Sequence, residues 1–264
     1  MKSILEVRDL SISFGGLRAV DHFRLTLGEG ELVGLIGPNG AGKTTVFNML
    51  TGIYRPTSGR ILFRGRRDEE PRDITDLKPH QITSRGIART FQNIRLLKGR
   101  SVLENVLIAY HYRVPYSLLD AVFRTGRYYH GERALVDEAM EFLSIFGIEG
   151  KARELAQNLP YGEQRKLEIV RALATHPVLL LLDEPAAGMN PKETRALMDL
   201  IRFIRERFSL TILLIEHDMS LVMNVCERIV VLDYGRIIAE GDPESIRRNP
   251  EVIKAYLGEE VEIA

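Results

Sequence analysis

The segment GPNGAGKTT, Gly37 to Thr45, places three glycines, a lysine and two threonines in an order suited to gripping a chain of phosphates. It matches G-x-x-x-x-G-K-[ST], directly after the apolar run ELVGLI and directly before a helical pattern, which is the context this motif requires. The loop Gly37, Pro38, Asn39, Gly40, Ala41 and Gly42 can wrap backbone N–H groups around β- and γ-phosphates. Lys43 adds a point charge, and the hydroxyl of Thr44, beside Thr45, can enter a Mg²⁺ shell. The second half of such a site should be an apolar strand ending in carboxylate, and VLLLLDEP supplies Asp183 and Glu184. Asp183 is placed to hold Mg²⁺ directly or through water, and Glu184 to orient or deprotonate an attacking water. Successive strand residues point in opposite directions, so the turn begun at Pro185 must re-aim Glu184. A solvated acidic turn is the plain alternative for this pair.

Three other residues have two readings each. Phe14, ahead of Gly15 and Gly16, is either a core aromatic or a platform for adenine. Gln92, in RTFQN, is a surface amide or a neutral ligand reaching Mg²⁺ or water. His217, after TILLI, is a histidine at a helix start or a donor to the γ-phosphate. NLPYGEQRK, Asn158 to Lys166, then offers a second glycine ahead of a helix start, where free N–H groups and the helix dipole gather anions. One chain with two such turns raises the question of what the second is for.

The elements that must position these residues alternate. ELVGLI precedes TTVFNMLTGI, VLLLLDEP precedes PKETRALMDLIRFIRERF, and TILLIEH precedes DMSLVMNVCERI, an order that implies α/β architecture with a largely parallel sheet. VLLLL and TILLI are continuous rather than alternating, as expected of strands covered on both faces. Asn190, Pro191 and Glu193 give an N-cap, a proline at the first helical position and a capping-box partner. LEVRDLSISF and RILFRG predict a smaller antiparallel β-subdomain. Between residues 93 and 158, SVLENVLIAYHY, SLLDAVF and ERALVDEAMEFLSIFGI carry apolar residues at helical spacing and predict an inserted helical lobe, with 1–92 and 159–264 forming the core. Plain helical packing accounts for most of the lobe's leucines and valines. RRDEEPRD reads as a solvated loop.

Thirty-six basic residues balance thirty-six acidic ones among 264, so no global field holds nucleic acid, and none is expected as a partner. The single cysteine, Cys226, excludes an internal disulfide and reads as a buried structural thiol in a reducing compartment. No apolar run approaches the roughly 20 residues that span a bilayer, and the N-terminus lacks a signal-peptide core, which predicts a cytoplasmic protein.

Together these segments resemble the ATP-binding cassette (ABC) ATPases over essentially the whole chain. Phe14 matches the adenine-stacking aromatic, GPNGAGKTT the phosphate loop, Gln92 the Q-loop and LPYGEQ the signature motif. LLLLDEP matches the magnesium and base strand, AAGMN the D-loop and His217 the switch histidine. The resemblance implies a P-loop NTPase of ABC type that binds ATP with Mg²⁺, with Glu184, His217, Lys43 and Gln92 catalytic. It also implies a purpose for the second turn: Tyr161, Gly162 and Glu163 would face the nucleotide held by another subunit, so that two cassettes close head to tail around two ATP molecules. GIARTFQNIRLLKGRSVLENVLIAYH, DEPAAGMNPKE and the ending EGDPESIRRNPEVIKAYLGEE are similar to the cassette of branched-chain amino acid importers. That similarity implies a second cassette, two transmembrane permease subunits, an external substrate-binding protein and a place on the inner face of the membrane. Related cassettes serve urea or amide import and lipopolysaccharide export. A soluble ABC ATPase of DNA maintenance or translation would favour tandem cassettes or a long coiled-coil insertion, and a small-molecule kinase would have no use for LPYGEQ. The usual signature has serine and glycine where this chain has Pro160 and Tyr161, and proline offers neither hydroxyl nor N–H. Gly162 and the helix start remain able to donate N–H groups. For Asn190, where aspartate is common, capping suffices as a role.

Overall fold

The protein is described here by a computed structural model covering residues 2–66 and 68–257. A long hairpin of β1 (Ser3–Phe14) and β2 (Leu17–Gly28) leads into β3 (Leu32–Ile36), the phosphate loop and α1 (Lys43–Leu50). β4 (Ser58–Phe63), β5 (Arg72–Asp73), α2 (Pro79–Arg85) and β6 (Ile87–Arg89) follow, then α3 (Val102–Ala109), α4 (Leu118–Phe123), α5 (Gly126–Ile145) and α6 (Tyr161–Leu173). The chain then alternates through β7 (Leu179–Asp183), α7 (Pro191–Phe208), β8 (Thr211–Ile215), α8 (Met219–Val225), β9 (Arg228–Asp233) and β10 (Arg236–Gly241). It closes with α9 (Pro243–Arg248) and α10 (Pro250–Leu257).

Two sheets result. The larger has the order β10-β9-β3-β8-β7-β6, parallel except for β10 on β9, and the smaller is antiparallel in the order β2-β1-β4-β5. The period of two in a strand explains why VLLLL and TILLI are apolar throughout. Leu180, Leu182, Ile212 and Leu214 face a core shared with α3, α5, α6 and α7. Leu179, Leu181, Leu213 and Ile215 face the opposite core, shared with α1 and the antiparallel sheet. Burial on both faces leaves no position for a polar side chain until the strand ends, which is where Asp183 and Glu184 stand.

Most local expectations hold. Asn190 accepts hydrogen bonds from the backbone N–H groups of Lys192 and Glu193, both at 3.0 Å, while Glu193 accepts from the Asn190 N–H. Cys226 is buried, and burial pushes its thiol pKa up to about 12, as suits a structural thiol. Three findings differ. RRDEEPRD is exposed where it is described except at the half-buried Asp68, and its last two residues pair with β4 as β5. Ile87–Arg89, too short to show a pattern, is the parallel edge strand β6. α4 forms where SLLDAVF has helical spacing, yet none of its residues is buried, unlike α3, whose Val102 and Val106 are fully covered. AYLGEE begins in α10, and its last three residues lie outside the described residues.

Candidate functional site

The phosphate loop turns between β3 and α1 with backbone geometry that demands glycine. Gly37 has φ 149°, and a side chain there would stand 1.9 Å from the Leu232 carbonyl; Gly42, at φ 105°, would place one 2.7 Å from the Ala19 carbonyl. Gly42 is the N-cap of α1, so the helix begins on the residue before it needs the motif's lysine. Lys43 is 5% exposed and folds back over the loop, donating to the Gly37 and Pro38 carbonyls at 2.6 and 2.9 Å. Burial lowers its pKa, against the opposing charges of Glu184 and Asp183. Asn39, Gly40, Ala41, Gly42, Lys43, Thr44 and Thr45 line one side of a cleft of about 360 Å³; Gln92, Glu184 and His217 line another, with Arg18 and Tyr234 at its edge.

The re-aiming expected of Glu184 takes a specific form. The residue adopts φ 48°, in the left-handed region, and its N–H donates to the Ile215 carbonyl at 2.9 Å. Its carboxylate is thereby turned towards two neighbours: Oε2 accepts from Gln92 Nε2 at 2.8 Å, and Oε1 lies 2.5 Å from His217 Nε2. Gln92 and His217, 92 and 33 positions from Glu184 in sequence, are thus joined through one carboxylate.

Asp183, 2% exposed, sits below the cleft. Its Oδ2 accepts from Arg89 Nη2 at 2.6 Å, and Arg89, itself lowered in pKa by burial, also donates to Asn48 and lies over the Phe47 and Phe91 rings. The other carboxylate oxygen, Oδ1, is buried without a hydrogen-bond partner among the described residues. An orphaned carboxylate oxygen beneath a threonine-lined phosphate loop suits a hard cation or its water.

The second glycine turn lies elsewhere. Pro160 is the N-cap of α6, Tyr161 the first helical residue, and neither Tyr161, Gly162 nor Glu163 lines the cleft. Tyr161, half exposed, turns towards two neighbours: its hydroxyl accepts from Arg165 Nη2 at 3.1 Å, and its ring would lie 3.2 Å from a Cβ at Gly188, whose φ of 77° favours glycine. Glu163 is tied to Lys151 at 2.6 Å. Phe14 is also not brought to the cleft. It ends β1, is 45% exposed, and meets Tyr54 edge to face at 5.2 Å.

Several charged residues that support the site were not singled out in the sequence. Besides Arg89, the fully buried Arg165 donates to the Phe91 and Gln92 carbonyls at 2.6 and 2.7 Å, and to Glu168 at 3.0 Å. Glu168 accepts from the Phe91 N–H, and burial raises its pKa despite the nearby arginine. Glu216, also raised by burial, accepts from the Ala186 N–H at 2.8 Å and from the His217 N–H at 3.3 Å, tying the turn after Glu184 to His217. The available signal was an i, i+3 pair of opposite charges, Arg165 and Glu168, flanking Leu167 on the inward face of a helix.

Residues 20–187 match the family model described as ABC transporter. The chain belongs to the ATP-binding cassette family. A second model, described as branched-chain amino acid ATP-binding cassette transporter, matches residues 236–262. The chain is 48% identical to the high-affinity branched-chain amino acid transport ATP-binding protein LivG of Salmonella typhimurium, over 97% of this chain and 98% of that one. It is 47% identical to the corresponding protein BraF of Pseudomonas aeruginosa, over 98% and 99%. Among solved structures, the ADP conformation of an ATP-binding cassette of an ABC transporter superposes with a TM-score of 0.82 at 30% identity, covering 98% of this chain and all of the other. The α/β architecture of this cassette is therefore that of its family.

Proposed function

We propose that this cassette hydrolyses ATP to power import of branched-chain amino acids, on the inner face of a membrane, with a second cassette, two permease subunits and an external binding protein. The observation that carries the ATPase reading is the clamp on Glu184, held by Gln92 on one oxygen and His217 on the other at the edge of the phosphate loop. The substrate reading is supported by the 48% identity to LivG along nearly the whole chain.

In this reading Lys43 releases the loop carbonyls to meet phosphate oxygens, and the N–H groups of the loop surround the same oxygens. Glu184 accepts a proton from the attacking water as general base, with its carboxylate orientation fixed by Gln92 and His217. Thr44, Asp183 through its free Oδ1, and Gln92 would hold Mg²⁺, which supplies neutralisation of phosphate charge when bound. His217 is positioned both to orient Glu184 and to donate to phosphate. Phe14 would meet adenine only after its ring leaves Tyr54. Tyr161 is committed to Arg165 and Gly188, so the signature turn offers its opposite nucleotide the N–H of Gly162 rather than a side-chain hydroxyl. ATP then favours the closed pair of cassettes by contacts that the open pair lacks, and hydrolysis removes that difference.

Uptake of labelled leucine in a strain deleted for this chain, combined with affinity purification from native membranes, tests the proposal. Lost uptake restored by the parent chain, and recovery with membrane subunits, is expected. Unchanged uptake, or recovery with nucleic acid and no membrane subunit, would sink it.

A further inference from the structure

Helix α4 has the composition of a core helix and none of the burial. Leu118, Leu119, Val122 and Phe123 are 80%, 68%, 66% and 74% exposed. At 100° per residue these four occupy one side of the helix, while Asp120 and Ala121 take the other. The helix is held by polar bonds instead of packing. Ser117 and Asp120 form a reciprocal capping box, and Arg124, at φ 48°, stops the helix before Thr125 caps α5. The ridge is thus a firmly capped presentation of apolar side chains.

The charges around it are sorted. Asp120, on the side of α4 away from the apolar residues, accepts from the Ser117 hydroxyl at 2.7 Å and the Thr125 hydroxyl at 2.8 Å. Glu132 accepts from the Tyr116 hydroxyl at 2.5 Å. Exposed Arg124, Arg127 and Arg133 take part in no salt bridge among the described residues, and Arg124 and Arg127 follow the ridge directly in sequence, so exposed positive charge adjoins the apolar face. Tyr128 stacks edge to face on both Tyr116 and Tyr129, and Tyr129 is 58% exposed. Such amphipathic rings suit a boundary between hydrocarbon and water.

We infer that α4 is a membrane-surface anchor, inserting Leu118, Leu119, Val122 and Phe123 among the headgroups of an anionic lipid leaflet while its arginines meet lipid phosphates. A two-turn ridge with adjoining positive charge fits the charge of such a leaflet, and long arginine stems can lie along acyl chains with their heads in water. A single anchor of this size binds weakly and reversibly, which suits a subunit whose main attachment is to permease chains. The inference rests on the proposed function in that it places the chain beside a membrane.

Flotation of the purified full chain with vesicles tests it, using phosphatidylcholine alone or mixed with phosphatidylglycerol. The expected result is binding to the anionic vesicles only, weakened by salt. Phe123→Asp and Leu119→Asp should each lower partitioning about ten-fold or more, because a charge replaces a buried apolar group. Arg124→Gln with Arg127→Gln should lower it less and flatten the salt dependence. Titration with a fluorescent ATP analogue, run on every sample, reports separately on folding and on the cassette reading. A parent chain that binds nucleotide but ignores anionic vesicles, or variants that float as well as the parent, would overturn the anchor. So would variants that lose only their co-purification with membrane subunits, which would assign the ridge to a protein partner.

Discussion

The two glycine turns of this cassette are built on opposite plans. Around Gly37–Thr45 the charged side chains gather at the cleft: Lys43 rests on loop carbonyls, Glu184 lies between Gln92 and His217, and Asp183 is held by Arg89 on one oxygen while the other has no partner among the described residues. Around Gly162 the side chains are turned aside. Tyr161 leans on Arg165 and Gly188, Glu163 is held by Lys151, and what remains open is backbone N–H at the start of α6. In the proposed reading the first turn holds the nucleotide, and the second completes a site offered by another chain. The two turns are nonetheless connected. Arg165 reaches from α6 to the Gln92 carbonyl, and the Gln92 side chain reaches Glu184, so α6 and Glu184 share one hydrogen-bonded route.

The largest effect should come from breaking the self-contained half. Glu184→Gln keeps the shape of the side chain but removes the base, and turnover measured by phosphate release should fall about 10²- to 10⁴-fold with nucleotide binding retained. Near-normal turnover would remove Glu184 from that role. Cutting the route between the halves comes next. Arg165→Met leaves the buried Glu168 without its countercharge and with only backbone N–H donors, and should cost about 3–5 kcal/mol of folding stability by denaturant titration; an unchanged midpoint would mean that the pair contributes nothing.

Phe14→Ala sharpens the edge of the nucleotide half. Loss of about 1–3 kcal/mol in ATP affinity, as for stacking on bases, is expected, with no loss for a triphosphate lacking the base. Equal affinity of the parent for both ligands would leave Phe14 as the partner of Tyr54 and no more. Tyr161→Phe should be the mildest change. Removing one hydroxyl that only accepts from Arg165 should cost about 1 kcal/mol of stability and leave ATP-dependent association intact. Association lost in this variant would show that the hydroxyl serves the opposite nucleotide after all.

The comparison also explains what could be read from sequence. The phosphate loop, the acidic strand end, Gln92 and His217 were legible because each stands at the end of an apolar strand or in a fixed motif, where local pattern and chemistry coincide. The antiparallel sheet was legible from its alternation. Arg89, Arg165, Glu168 and Glu216 were not, because charge in a sequence is read as exposure, and only the tertiary fold supplies the partners that make burial tolerable. The direction of Tyr161 depends on Gly188, 27 positions away and brought close by the fold. The bareness of α4 was hidden for the converse reason: its spacing is that of a packed helix, and only the structure shows that nothing covers it.

The central claim is that the turn at Gly162 completes an ATP site belonging to another chain. A Cβ added at Gly162 would meet nothing closer than Glu193 Oε1 at 3.8 Å, so the first atom of a side chain fits there, and Gly162→Asp places a carboxylate where the opposite phosphates would lie. Gel filtration of the Glu184→Gln protein, alone or with its native partner cassette, should show an ATP-dependent pair that separates when Gly162→Asp is added, with nucleotide affinity unchanged. A pair that persists undiminished with Asp at that position would contradict the account.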